Sequence, residues 1–96
     1  MPKTIMIPTP LRAYTAKKAA IVVEGRTVGE MLDELTRLHA PLKQHLFDDK
    51  GRLRSFVNVY VNDQDIRYLQ KEKTEVTDND VVSIIPSIAG GKDGAR

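Results

Sequence analysis

One stretch of this chain has the period of a long helix, and the remainder has to cover it. Thr27, with Glu30 three residues on, has the pattern of a capping box. Val28, Met31, Leu32, Leu35 and Leu38 then recur at helical spacing on one face, and Pro41 stops the run. A single amphipathic helix cannot bury its own apolar stripe. The spacing therefore predicts a helix over residues 28–38 packed on a sheet made from the other segments.

The other segments read as strands. Thr4-Ile5-Met6-Ile7 is a short first strand stopped by Pro8 and Pro10. Residues 11–18 form a polar connection, and residues 19–24 a second strand that ends at Gly25 and pairs with the first as a long-looped hairpin. Residues 42–47 add a short extra turn after the helix. Residues 56–62 alternate strictly, with Val57, Val59 and Val61 on one face and Phe56, Asn58 and Tyr60 on the other. Residues 62–65 turn the chain, residues 66–69 pair back briefly, and the turn 77–80 launches a last strand over residues 81–86. Strands on both sides of one helix favour an α+β layer, with the helix on one face of a mixed sheet of four to five strands.

Composition bounds the function. Ninety-six residues make one modest core, and 41% apolar with 29% charged residues is a globular balance. A net charge of +2 without a basic block argues against nucleic acid as the main partner. No segment reads as a signal peptide or a membrane span, so a cytoplasmic site is expected and no membrane partner. The absence of cysteine excludes disulfides, thiolate catalysis and cysteine metal sites.

The side chains offer little chemistry. His39 and His45 lie six residues apart without a third ligand at metal-binding spacing, and His39 suits the helix C-terminus. Asp48-Asp49 and Asp63/Asp65 read as solvated turn residues, Gly25 and Gly51 as turn glycines. Lys17-Lys18 with Lys3, Arg12 and Arg26 read as a solvated loop rather than a basic patch. A docking face is the stronger candidate. If Val57, Val59, Val61, Val82 and Ile84 face the helix, the opposite face carries Met6, Phe56, Tyr60 and Ile85, open to a protein partner. The alternative is that loops 11–18 or 43–54 cover it.

The remaining feature is the tail. Gly90 and Gly91 close an apolar run over residues 81–88, and only Lys92-Asp93-Gly94-Ala95-Arg96 follow. Without side chains, a double glycine can thread a narrow channel and adopt backbone angles closed to other residues. The bland alternative is an ordinary frayed terminus.

The element order, Asp78-Asn79-Asp80-Val81-Val82-Ser83-Ile84-Ile85-Pro86 and Ile88-Ala89-Gly90-Gly91 together resemble the ubiquitin-like sulfur carriers of the MoaD/ThiS family. That family includes the small subunit of molybdopterin synthase, the thiamin-pathway carrier and a carrier that feeds cysteine synthesis. Residues 56–67 look most like the cysteine branch. The resemblance implies a β-grasp fold over residues 1–89 and a reactive tail at Gly90-Gly91. It also implies that the chain is no enzyme and binds no cofactor or metal itself. An adenylating enzyme of the ubiquitin-activating type would activate the Gly91 carboxylate with ATP and magnesium. Sulfide or a persulfide would then leave a thiocarboxylate for a sulfur-accepting synthase, such as a PLP-dependent cysteine synthase. Met6, Phe56, Tyr60, Ile85 and Ile88 would dock on these partners, and residues 88–91 reach at most about 13 Å when extended.

This chain departs from most of the family, which stops at the double glycine. Residues 92–96 block the Gly91 carboxylate, so the resemblance implies a cut between Gly91 and Lys92 by a JAMM-type zinc protease. Two other readings stay open: a ubiquitin-like modifier that joins Gly91 to a lysine of another protein, and a β-grasp binding module with an inert tail.

Overall fold

The computed structural model describes residues 3–86, and the strands form where the alternation places them. Strand β1 is Lys3–Met6, β2 Ala20–Val23, β3 Val57–Val61, β4 Gln64–Asp65 and β5 Val81–Pro86. They make one sheet in the order β2-β1-β5-β3-β4. The β1–β5 pair is parallel and the other neighbours are antiparallel, so the sheet is mixed. One long helix, α1 (Val28–Leu38), and a short one, α2 (Lys43–Leu46), complete the α+β arrangement of a β-grasp. Ile5, Ile21, Val23, Val57, Val59, Val61, Val82 and Ile84 from the sheet share one core with Val28, Met31, Leu32 and Leu35 of α1.

The start of α1 keeps half of the capping box. Thr27 Oγ1 accepts from the Glu30 N–H at 3.2 Å, but Glu30 Oε1 reaches past the cap to accept the Arg26 N–H at 2.8 Å. The chain at 26–28 is also bridged to 74–76, with Val28 N–H donating to the Thr74 carbonyl and Val76 N–H to that of Arg26. Gly25, read as a simple turn glycine, has a packing role besides its φ of +150°. A Cβ there would stand 2.9 Å from the Met31 amide nitrogen.

Three expectations need correcting. Leu38 is not in the core but 49% exposed. At 100° per residue it lies about 90° from the centre of the buried stripe, and the turn at Ala40–Leu42 delivers the fully buried Leu42 to that end of the core instead. Leu46 on α2 is buried beside it, an addition that one helical turn is too short to announce. Residues 11–18 are not a bare polar connection. Pro10 opens a 3-10 helix over Thr9–Tyr14, where a missing N–H is harmless. Leu11 and Tyr14 pack on the core, and buried Thr15 sets its Oγ1 within 3.0 Å of the Lys18 carbonyl. Finally, residues 66–69 do not pair back. Asp65 accepts the Arg67 N–H at 2.9 Å and starts a 3-10 turn at Ile66–Tyr68, so β4 stops after two residues.

Leu35→Ala removes a fully buried side chain from the centre of the α1 stripe and is expected to cost about 2–5 kcal/mol. Leu38→Ala, at a half-exposed position, should cost about 1 kcal/mol or less. Equal shifts of the two urea midpoints would show that the buried stripe is misassigned.

Candidate functional site

The tail is carried by β5, and the structure shows how firmly that strand is set. β5 pairs with β1 on one flank and β3 on the other, with Val82 and Ile84 buried. Its start is locked by side chains from two turns. Asn62, at φ +58° in the two-residue β3–β4 turn, donates its N–H to the Val81 carbonyl at 2.7 Å and accepts the Val81 N–H on Oδ1 at 3.1 Å. Asp80 accepts the Thr77 N–H and hydroxyl on Oδ2 at 2.9 and 3.1 Å, and the Asn62 amide on Oδ1 at 3.0 Å. These bonds, the Thr77 backbone N–H first and the Asn62 amide next, favour the ionised form and lower the Asp80 pKa. The lock fixes the register that sets Pro86 opposite Val57. Gly91 is five residues beyond Pro86, at most about 17 Å of extended chain. Ile88, Gly90, Gly91 and Lys92 themselves lie outside the described residues.

Phe56 apart, the outer sheet face has the composition that alternation predicts. Met6 and Ile85 are exposed and Tyr60 is half-buried. Phe56, expected as the first residue of β3, is exposed but lies in the turn before that strand, where the Val57 N–H donates to the Arg54 carbonyl. Alternation therefore does not place it on the sheet face. In the register, Met6 and Tyr60 flank Ser83, and Ile85 faces Asn58. Exposed Val22 and Val81 extend this face across β2 and β5. Sequence reading missed both, because alternation is invisible inside the uninterrupted runs Ile21-Val22-Val23 and Val81-Val82. Neither connecting loop covers the patch with its apolar side chains. Leu11, Tyr14, Phe47 and Leu53 pack on the core cluster.

The charged residues are mostly committed to local structure. Asp48 is a turn residue as expected, accepting the Lys50 and Arg52 N–H groups. The Arg52 bond, the larger cause, lowers its pKa. Asp65 is not a solvated turn residue: its side chain is 9% exposed and paired with Arg67. The grouping of Lys3 with Arg12, Arg26, Lys17 and Lys18 is not one surface, since Lys3 is buried with Nζ 3.4 Å from Asp78 and Arg12 Nε donates to the Ile7 carbonyl. His45 stacks on Tyr14 at 4.4 Å, a contact no sequence pattern signals, and His39 caps α1. Among the described residues, no three His, Cys, Asp or Glu side chains are grouped to hold a metal ion, and no helix is long and apolar enough to cross a membrane.

Comparison with known proteins finds one family, with sulfur carriers and a modifier protein among the relatives. The model of the ThiS family matches residues 5–91. A sulfur carrier protein, CysO of Mycobacterium tuberculosis, is 37% identical over 90 residues, covering 92% of this chain and 97% of its own length. A chain in the crystal structure of the Amycolatopsis orientalis BexX/CysO complex superposes with a TM-score of 0.83 at 40% identity, covering 92% of this chain and 98% of that one. Small archaeal modifier protein 3 of Haloferax volcanii is 34% identical over 70 residues, 73% of this chain and 75% of its own.

Because Asp80 has a lowered pKa in the folded chain, its stabilising contribution is complete above the ordinary aspartate pKa and is lost as pH falls through the depressed value. Asp80→Asn should cost about 1 kcal/mol at neutral pH through the weakened turn bonds. It should also remove part of the acid loss, so the two stability curves converge at low pH. Parallel curves from urea titrations across the acid range would contradict this role.

Proposed function

The chain belongs to the ThiS family, and from that premise we propose that it is a sulfur carrier, a protein co-substrate rather than a catalyst. One observation supports this most directly: the family match runs into Gly91 and stops there, leaving residues 92–96 outside it. In this reading a JAMM-type zinc protease cuts between Gly91 and Lys92 to free the carboxylate. A carboxylate is a poor electrophile. The adenylating enzyme, of the ubiquitin-activating type and using ATP and magnesium, forms Gly91 acyl-adenylate and releases pyrophosphate. Sulfide attacks the acyl carbon, AMP leaves, a proton is released, and Gly91 carries a thiocarboxylate.

The carrier's part in this chemistry is placement. A strand paired on both flanks precedes a sequence that reaches two residues without side chains, Gly90-Gly91, so that the reacting carbon can enter another protein's site while the folded body stays outside. The likeness to CysO favours cysteine synthesis, with a PLP-dependent cysteine synthase as sulfur acceptor; molybdopterin and thiamin are the other destinations within the family. The solved complex of a related chain with BexX supports docking on a protein partner, for which Met6, Phe56, Tyr60 and Ile85 are the proposed contacts, continued by Ile88. The likeness to a small archaeal modifier protein favours a second reading, in which the Gly91 carboxyl is joined to a lysine amine of another protein.

Mass spectrometry of the protein from its own cells tests the main reading. Chains ending at Gly91 are expected, a fraction of them heavier by the exchange of one oxygen for sulfur. Exclusive recovery of chains ending at Arg96 under sulfur demand would overturn it, and Gly91 linked to lysines would favour the modifier. On the docking face, Ile85→Asp and Tyr60→Ala should weaken binding to the adenylating enzyme about thirtyfold, with the denaturation midpoint checked in each.

A further inference from the structure

Strand β4 ends at Asp65, and the side chain of Arg67, two residues on, reaches back across the sheet edge. Its Nε and Nη2 donate to the two oxygens of Asp65 at 3.3 and 3.1 Å, and Nη2 also donates to Asn58 Oδ1. Both acceptors belong to the outer sheet face: Asn58 lies opposite Ile85, and Asp65 opposite Tyr60. The guanidinium is therefore fixed beside two of the proposed docking residues. The Asp65 carboxylate is largely covered, at 9% exposed, while the Arg67 side chain is 54% exposed. Nη1, with two further N–H groups, is not used by these three bonds.

We infer that Arg67 is a specificity-determining residue of the docking face. It takes a carboxylate side chain of the adenylating partner while apolar residues of that partner seat on Ile85 and Tyr60. The inference rests on the carrier reading above and on charge complementarity. Asp65 apart, the strand positions on the outer face are uncharged: Ala20, Val22, Thr4, Met6, Val81, Ser83, Ile85, Asn58 and Tyr60. A cation held at the border of such a face gives a partner something to orient on. Its planar fork matches a carboxylate, and much of the ordering entropy is already lost in the clamp. A charge at the rim of an apolar contact acts chiefly on association rate and choice of partner.

The test is surface plasmon resonance of the full-length chain on the adenylating enzyme of the same cells, at low and physiological salt. Arg67→Glu is expected to slow association about tenfold at low salt, and Arg67→Gln to flatten the salt dependence. Asp65→Asn, which keeps the cation but loosens its clamp, should weaken affinity severalfold and leave the salt dependence in place. A structural brace would not change the salt dependence. If Arg67→Glu lowers the denaturation midpoint, Arg67→Gln against Arg67→Lys decides, with salt dependence lost in the first and kept in the second. Wild-type association by folded Arg67→Glu, with binding abolished in Ile85→Asp, would overturn the role of Arg67 and leave the carrier reading standing. Wild-type binding by Ile85→Asp as well would overturn the docking face and Arg67 with it.

Discussion

Strand β5 is the member on which the other parts of this molecule depend. It lies in the middle of the sheet, paired in parallel with β1 and antiparallel with β3, and Val82 and Ile84 bury one of its faces in the core shared with α1. A strand held on both flanks and covered on one face opens only when the sheet itself comes apart. The chain that continues beyond Pro86 therefore starts from one of the most constrained points in the fold. For a protein proposed to present its end to other proteins, that is the useful arrangement: the base is rigid and the tail beyond it carries no bulk at Gly90-Gly91.

The two faces of the sheet divide the work. The inner face, from Ile5 to Ile84, supplies the burial that stabilises so short a chain. The outer face keeps Met6, Val22, Val81 and Ile85 exposed, which stability alone does not require. Because side chains alternate along each strand, the same backbone sets both faces, and a slip of one residue would exchange them. Register is thus a functional quantity here. The Asn62–Asp80–Val81 lock sets it at one end of β5, through bonds a carboxylate makes best when ionised.

The acidic residues at turns act as short-range builders more than as a charge field. Asp80 closes the turn before β5, Asp48 that at residues 48–52, and Asp65 ends β4 by capping the turn that follows. Asp65 also holds Arg67 in place. One carboxylate therefore shapes the backbone and positions a cation at the border of the outer face.

Much of this was legible in the sequence. Thr27 and the spacing from Val28 to Leu35 determined α1, the alternation from Val57 to Val61 determined which face of β3 is buried, and the ending at Gly90-Gly91 with the residues before it pointed to the family. These are local signals, because periodicity and capping depend on residues within a turn or two of one another. What only the tertiary structure decided involves partners distant in sequence. Leu38 yielded its place to Leu42, Lys3 was buried against Asp78, and Arg67 was folded back onto Asn58. Val22 and Val81 joined the outer face only once β2 and β5 were aligned on β1. Burial and charge pairing are properties of what meets in space, and a sequence states them only where the meeting is local.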